Sequence, residues 1–301
     1  MLLNSRILTY NNLIVFSVLL SLAFFFNPTS LVNEHSKFFD IRLIVMFLIA
    51  EPHFAMTIPL LYGYKSLFKK NKLKFVYIPA LIVLIMAPLF IYNFILFSII
   101  FLVANVYHVN RQSVGFFKIY NKSKSEINDI YEILLHLSTI TWLLLYIFKV
   151  NLKVELGVIT LLICIFIMSL FQFYYYKKKF NFLTLTVISQ GFFIFFPICL
   201  FDNLILAFAV GISIHYIQYL IISYPICTKS FGYPIIGLFL FLIVYSSLST
   251  SALSGLLNHD RFALVILIPT MLQLLHFYYD SFIWRGSDPY IREVMKKSLN
   301  L

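Results

Sequence analysis

The sequence predicts an all-α fold, a polytopic membrane helix bundle of about ten transmembrane helices. Three observations carry this. Of 301 residues, 61% are hydrophobic and 12% are charged, against about half and a quarter in an ordinary soluble domain. Mean hydropathy is +0.91 over the whole length, and a soluble fold of this size still needs a polar skin. The apolar runs are continuous and about 20 residues long, the length a helix needs to cross the hydrocarbon. A membrane β-barrel would instead show short alternating segments. The composition excludes a soluble enzyme, a disordered chain, a collagen and a disulfide scaffold.

In chain order the spans fall at about 7–26, 41–63, 75–90, 93–110, 129–148, 154–176, 181–200, 204–224, 233–251 and 262–284. The first is too long, and lacks a small-residue cleavage site after Phe26, to be a cleavable signal peptide. The third and fourth share one apolar stretch, divided near Ile91-Tyr92-Asn93, where Pro88 and a polar Asn favour a tight turn. Placing the N-terminus in the cytoplasm puts eighteen of the 23 basic residues in inside loops: Arg6, five Lys in 65–74, four residues in 111–124, Lys177 to Lys179, Lys229 and four in 285–297. Lys37, Arg42, Lys149, Lys153 and Arg261 fall outside. This alternation predicts both termini in the cytoplasm, and the expected location is the cell (inner) membrane. No loop is long enough for a soluble domain, so residues 1–301 are expected to form a single integral membrane domain. The net charge of +11 sits in short loops that suit an anionic leaflet, and no nucleic-acid partner is expected. Cys164, Cys199 and Cys227 show no paired or CxxC spacing and are read as apolar fillers.

Ionisable groups inside a membrane are costly, so each is a functional candidate. Of the seven His, His35 and His259 fall in outside loops. The other five, His53, His108, His136, His215 and His276, lie within spans or at their ends. At about 1.5 Å of rise per residue, all five fall roughly 5–15 Å below the cytoplasmic surface. Scattered hydrogen-bonding histidines have no reason to share one depth; a cluster reached from the cytoplasm does. His53, His108, His215 and His276 are therefore the candidate metal ligands. Imidazoles without thiolates suit Fe, Zn or Cu, and several neutral His with open positions fit Fe(II) meeting O₂ better than a closed structural zinc site.

The neighbours supply candidate catalytic groups. His276 and Asp280 are i,i+4, so Asp280 is expected to accept the other ring N–H of His276. Gln218 and Tyr219 share a face with His215, and Glu132 is i,i+4 with His136. Glu51 is two residues from His53, about 200° round an ideal helix, so both reach one site only if Pro52 distorts that turn. The sequence contains no GxSxG, P-loop or GxGxxG motif, nor the HxxxH/HxxHH set of membrane desaturases and hydroxylases.

Five stretches taken together are distinctive: Glu51-Pro52-His53-Phe54; Tyr107-His108-Val109; His136-Leu137-Ser138-Thr139-Ile140-Thr141-Trp142; His215-Tyr216-Ile217-Gln218-Tyr219; and His276-Phe277-Tyr278-Tyr279-Asp280-Ser281-Phe282-Ile283-Trp284-Arg285. Their order and spacing over about residues 45–285 resemble the microbial membrane β-carotene 15,15′-dioxygenase family (Brp/Blh type). Two positions depart from that family: Phe54 stands for its Gly, and Tyr219 for the second His of its His-x-x-x-His. The resemblance implies an Fe(II)-dependent membrane oxygenase cleaving a carotenoid or related lipid-soluble substrate from the bilayer with O₂, giving retinal if the substrate is β-carotene. It implies His53, His108 and His215 as iron ligands; His276 then supplies a fourth, or the iron has three His. The alternative is a metal-ion or proton-coupled transporter in which the same histidines, Glu51 and Asp280 form a relay. Nine Gly in 301 residues is few for the broken-helix folds of such carriers, and no inverted repeat is found.

Overall fold

The computed structural model describes residues 46–121, 125–176, 182–202, 204–256, 263–285 and 287–299. The expected span at 7–26, His35 and His259 lie outside these residues. The described residues form helices and contain no strand. Five stretches are long and apolar enough to cross a membrane: Leu73–Tyr92, Phe94–Lys118, Glu126–Ile147, Lys153–Tyr174 and Val210–Ser230.

The chain enters through a π-helical turn, Met46–Ala50, followed by α1 (Glu51–Ala55), α2 (Thr57–Gly63) and a basic helix α3 (Lys65–Lys70). Pro52 lacks the N–H that would close the preceding α turn, and the wide turn sits directly before it. A Cβ on Gly63 would lie 2.2 Å from the Phe231 ring, so only glycine permits this approach. A second π turn, Leu73–Tyr77, leads into α4 (Ile78–Tyr92). The helix breaks at Asn93, whose φ of −145° and ψ of 71° are non-helical. The Asn93 side chain then accepts the Leu96 N–H at 3.1 Å and caps α5 (Phe94–Asn121). This break falls in the stretch where the sequence divides two runs. The helix α5 continues well past the apolar run ending near residue 110, because nothing in 111–121 breaks a helix and Val114 and Phe117 give it a buried face.

Helices α6 (Ser125–Ile147), α7 (Lys153–Tyr176), α8 (Phe182–Phe195), α9 (Pro197–Leu200) and α10 (Leu204–Pro225) follow. The C-terminus of α6 closes with Val150 N–H donating to Leu145 C=O and Lys149 N–H to Tyr146 C=O, both at 3.1 Å. This is the Schellman pairing, and it places Lys149 at the left-handed position, φ 49°, usually held by Gly. Pro197 separates α8 from α9 within the run expected at 181–200. A third π turn, Ile226–Ser230, follows Pro225, and α11 (Ile235–Leu256) and α12 (Ala263–Ile283) complete the apolar helices. A further helix, α13 (Pro289–Leu299), was not anticipated. Asp288 caps it, accepting the N–H groups of Tyr290 at 2.9 Å and Ile291 at 3.2 Å, and Pro289 occupies its first turn. Its apolar face, Ile291, Val294, Met295 and Leu299, is buried, and Ser230 donates to the Val294 carbonyl at 3.3 Å.

Two compact units divide the described chain, one from Val109 to Ile217 and one from Met46 to His108 with Gln218 to Leu299. In the first, Tyr131 stacks on Phe117 with ring centroids 4.2 Å apart and donates to the Ile188 carbonyl at 3.2 Å. Trp142 is fully buried and donates to the Gly157 carbonyl at 3.4 Å. Helices come close enough here that a Cβ on Gly211 would sit 1.9 Å from the Ile194 carbonyl oxygen. Arg111 pairs with Glu132, and Lys153 pairs with Asp202, holding that carboxyl below its ordinary range through the hydrogen bond and the charge. In the second unit Met86, Phe97, Met271 and Leu274 form a core between α4, α5 and α12, with Phe277 packed against it. Outside these cores, large apolar side chains stand exposed at helical spacing, Ile133, Leu137, Ile140 and Leu144 on α6, and Leu162, Phe166, Leu170 and Phe173 on α7. Such stripes suit a hydrocarbon solvent and not water.

Candidate metal centre

His53 on α1, His108 on α5 and His276 on α12 come together inside the second unit. One ring nitrogen from each lies within 4.8 Å of the others, and all three residues are buried. They could hold a metal ion. The helices deliver them for separate reasons. A wide turn precedes Pro52 and α1; His108 lies where the apolar part of α5 ends; and the α4–α5–α12 core fixes α12 through Leu274 and Phe277, on either side of His276 in the chain.

Aromatic rings fix the imidazole planes. Phe277 stacks on His108 with centroids 4.8 Å apart, Phe54 meets His276 edge-on at 5.2 Å, and Tyr219 tilts over His53 at 4.2 Å. Trp284 in turn packs its edge against Tyr219 at 5.4 Å.

The hydrogen bonds around His276 fix its tautomer by counting protons. Tyr219 donates its one hydroxyl proton to Asp280 Oδ1 at 3.2 Å. Toward Thr57 the phenol oxygen can then only accept, and Thr57 Oγ1 donates to it at 3.2 Å. With its own proton used, Thr57 Oγ1 accepts from His276 Nδ1–H at 2.6 Å. A neutral imidazole has one N–H, so His276 Nε2 carries a bare lone pair. That lone pair faces His53 Nε2 at 2.8 Å. Two bare lone pairs do not face each other at this distance; a proton on His53 or a cation must lie between them. Asp280 Oδ2 adds a further basic atom, 3.6 Å from His276 Nε2 and 3.9 Å from His108 Nε2. It is buried and accepts no hydrogen bond of ordinary geometry. Three buried imidazoles and a buried carboxyl oxygen this close together are groups that could hold a cation.

Several expectations are refined. Asp280 does not accept the second ring N–H of His276; Thr57 does, and Asp280 lies on the side of Nε2. Thr57 escaped the sequence reading although it is i,i+4 from His53, a spacing that puts both on one helix face. Tyr219, one turn after His215, reaches the cluster. His215 itself lies in the other unit and is not one of the three clustered histidines. Gln218 is buried beside Tyr219 on α10. Glu51 is fully buried but faces Ser249 of α11. His136 donates Nδ1–H to the Glu132 carbonyl at 2.8 Å, so its link to Glu132 is to the backbone.

Fold and site together define an all-helical protein, among the described residues, with membrane-length helices and a buried three-histidine cluster. Comparison with protein-family models, with curated proteins and with solved structures returned no match.

Proposed function

We propose that this chain is a multi-pass membrane metalloenzyme, a non-haem Fe(II) oxygenase acting on a polyene or related lipid drawn from the bilayer. The observation that carries the reading is the convergence of His53, His108 and His276 with the tautomer of His276 set to offer Nε2. Three buried imidazoles without a thiolate suit Fe, Zn or Cu, and iron is the one of these whose chemistry with O₂ fits the proposed reaction. The order of motifs shared with the Brp/Blh-type β-carotene dioxygenases supports a carotenoid as the first substrate to test. Ten spans with both termini in the cytoplasm, in the cell (inner) membrane, are the topology we propose.

An iron bound there supplies O₂ binding and activation. The chain's own residues supply the setting. His53, His108 and His276 hold their lone pairs toward one point; Thr57 keeps the proton on His276 Nδ1; Tyr219 holds its proton against Asp280 Oδ1; Phe54 and Phe277 line the imidazoles with apolar surface. Apolar surface of this kind is compatible with O₂ and a hydrocarbon as co-substrates, since neither needs a polar partner.

The test is metal content and turnover of the detergent-purified chain. One iron per chain, O₂ consumed with β-carotene or another polyene, and loss of both on His53→Ala, His108→Ala or His276→Ala are the expected results. Metal or proton flux in proteoliposomes without any oxygenated product would overturn the oxygenase and favour a transporter built on the same histidines.

A further inference from the structure

We infer that Asp280 is itself a donor to the centre, making it a three-histidine, one-carboxylate site. The inference rests on the reading of the cluster as a metal site. The carboxylate has two oxygens with different surroundings. Oδ1 accepts the Tyr219 hydroxyl at 3.2 Å. Oδ2 is buried, accepts no hydrogen bond of ordinary geometry although the Trp284 indole N–H lies beside the carboxyl, and is 3.6 Å from His276 Nε2 and 3.9 Å from His108 Nε2. Both separations exceed a hydrogen bond. For these two histidines they lie near the separations of atoms that share a metal, about 3–3.5 Å for adjacent ligands and about 4.2 Å for opposite ones at bonds of about 2.0–2.2 Å. Asp280 stands outside the set of ligand atoms within 4.8 Å of one another, so it joins His53 on one ion only after a small side-chain movement.

The orienting role that a carboxylate often plays behind a metal-bound His is already filled. His276 Nδ1 is held by Thr57 at 2.6 Å, leaving no ring N–H for Asp280 to accept. His276 and Asp280 are one turn apart on α12, so a single rigid helix presents both donors. Charge points the same way. A buried carboxylate beside neutral imidazoles, held by the Tyr219 hydroxyl and the Trp284 indole N–H but by no Lys or Arg among the described residues, is stabilised further by a divalent cation. Three nitrogens and one oxygen select a divalent ion such as Fe(II) over Cu(I), which prefers soft ligands. Tyr219, fixing Oδ1, is then the support of the carboxylate arm, as Thr57 is of the imidazole arm.

The experiment strips the full-length protein in detergent, reconstitutes it with Co(II), and reads binding affinity and visible ligand-field bands. Asp280→Asn and Asp280→Ala should bind Co(II) more weakly than wild type and show shifted bands, with added acetate returning the Asp280→Ala spectrum toward wild type. Thr57→Val should weaken binding about 10–100-fold and leave the band positions in place. Wild-type bands in Co(II)-loaded Asp280→Asn would overturn the carboxylate as a ligand while leaving the histidine site standing. No Co(II) or iron bound by wild type would remove the metal reading itself, and this inference with it.

Discussion

Replacing Thr57 with Val removes one hydroxyl and keeps the shape of the side chain. That hydroxyl accepts from His276 Nδ1 at 2.6 Å and donates to Tyr219 at 3.2 Å. The variant leaves a buried Nδ1–H without an acceptor, which costs about 1–3 kcal/mol. The other tautomer of His276 relieves this by moving the proton to Nε2, where it blocks the ligand position. Either way the cost falls on metal binding, and about 1–3 kcal/mol corresponds to roughly 5–150-fold in affinity. The usual effect of removing a group that supports a metal-bound His, about 10–100-fold, lies inside this range. Competition of the bound metal against a chelator measures it, with Thr57→Ser as the control that keeps a hydroxyl. Wild-type affinity in Thr57→Val, in protein that melts at the wild-type temperature, would refute the proton count and the tautomer drawn from it.

Three further outcomes test the packing. Gly211→Ala should lower the melting temperature in detergent, because its Cβ would sit 1.9 Å from a backbone oxygen that cannot swing aside; overpacking of this kind costs about 1–3 kcal/mol. Lys149→Gly should stabilise the chain by about 0.5–1 kcal/mol, since φ 49° strains any residue with a Cβ and costs glycine nothing; thermal unfolding of the two proteins side by side reads it. Asp288→Ala should loosen α13 by about 0.5–2 kcal/mol through loss of its cap, seen as faster amide exchange across Pro289–Leu299 with exchange in α12 unchanged.

The long apolar helices were legible because they coincide with apolar runs, and the break at Asn93 because proline and a capping side chain announce it. The end of α5 was not, because hydropathy reports where lipid stops and not where a helix stops. From Arg111 to Asn121 polar residues interrupt the apolar run, yet Val114 and Phe117 keep a buried face and the helix continues. The helix α13 was hidden by reading its lysines and arginines only as loop charge, although Asp288-Pro289 is a helix start and the apolar residues at 291, 294, 295 and 299 recur at helical spacing. The site was legible as far as depth allows. Depth counted along the spans selects five histidines alike, and the structure brings together three of them, His53, His108 and His276. Azimuth and packing decide which meet, and neither can be counted from span ends; His215 and His136 belong to the other unit. Thr57 was passed over because a hydroxyl in a span costs little and commonly bonds its own helix, as Ser113 does to the Val109 carbonyl at 2.9 Å. Only the positions of the His276 and Tyr219 side chains reveal that Thr57 serves them instead.

The three π turns, Met46–Ala50, Leu73–Tyr77 and Ile226–Ser230, each stand within two residues of a proline: Pro52, Pro79 and Pro225. A wide turn holds one residue more in its hydrogen-bonded loop than an α turn, and one residue is worth about 100° of rotation about a helix axis. Residue count between Met46 and Pro52 is therefore coupled to the direction of His53, alongside the contacts that hold its ring. In a lineage of such chains, that turn should behave as a unit of insertion and deletion: a sequence one residue shorter between Met46 and Pro52 would keep every histidine and yet change the angle between the residues before the turn and the first of them.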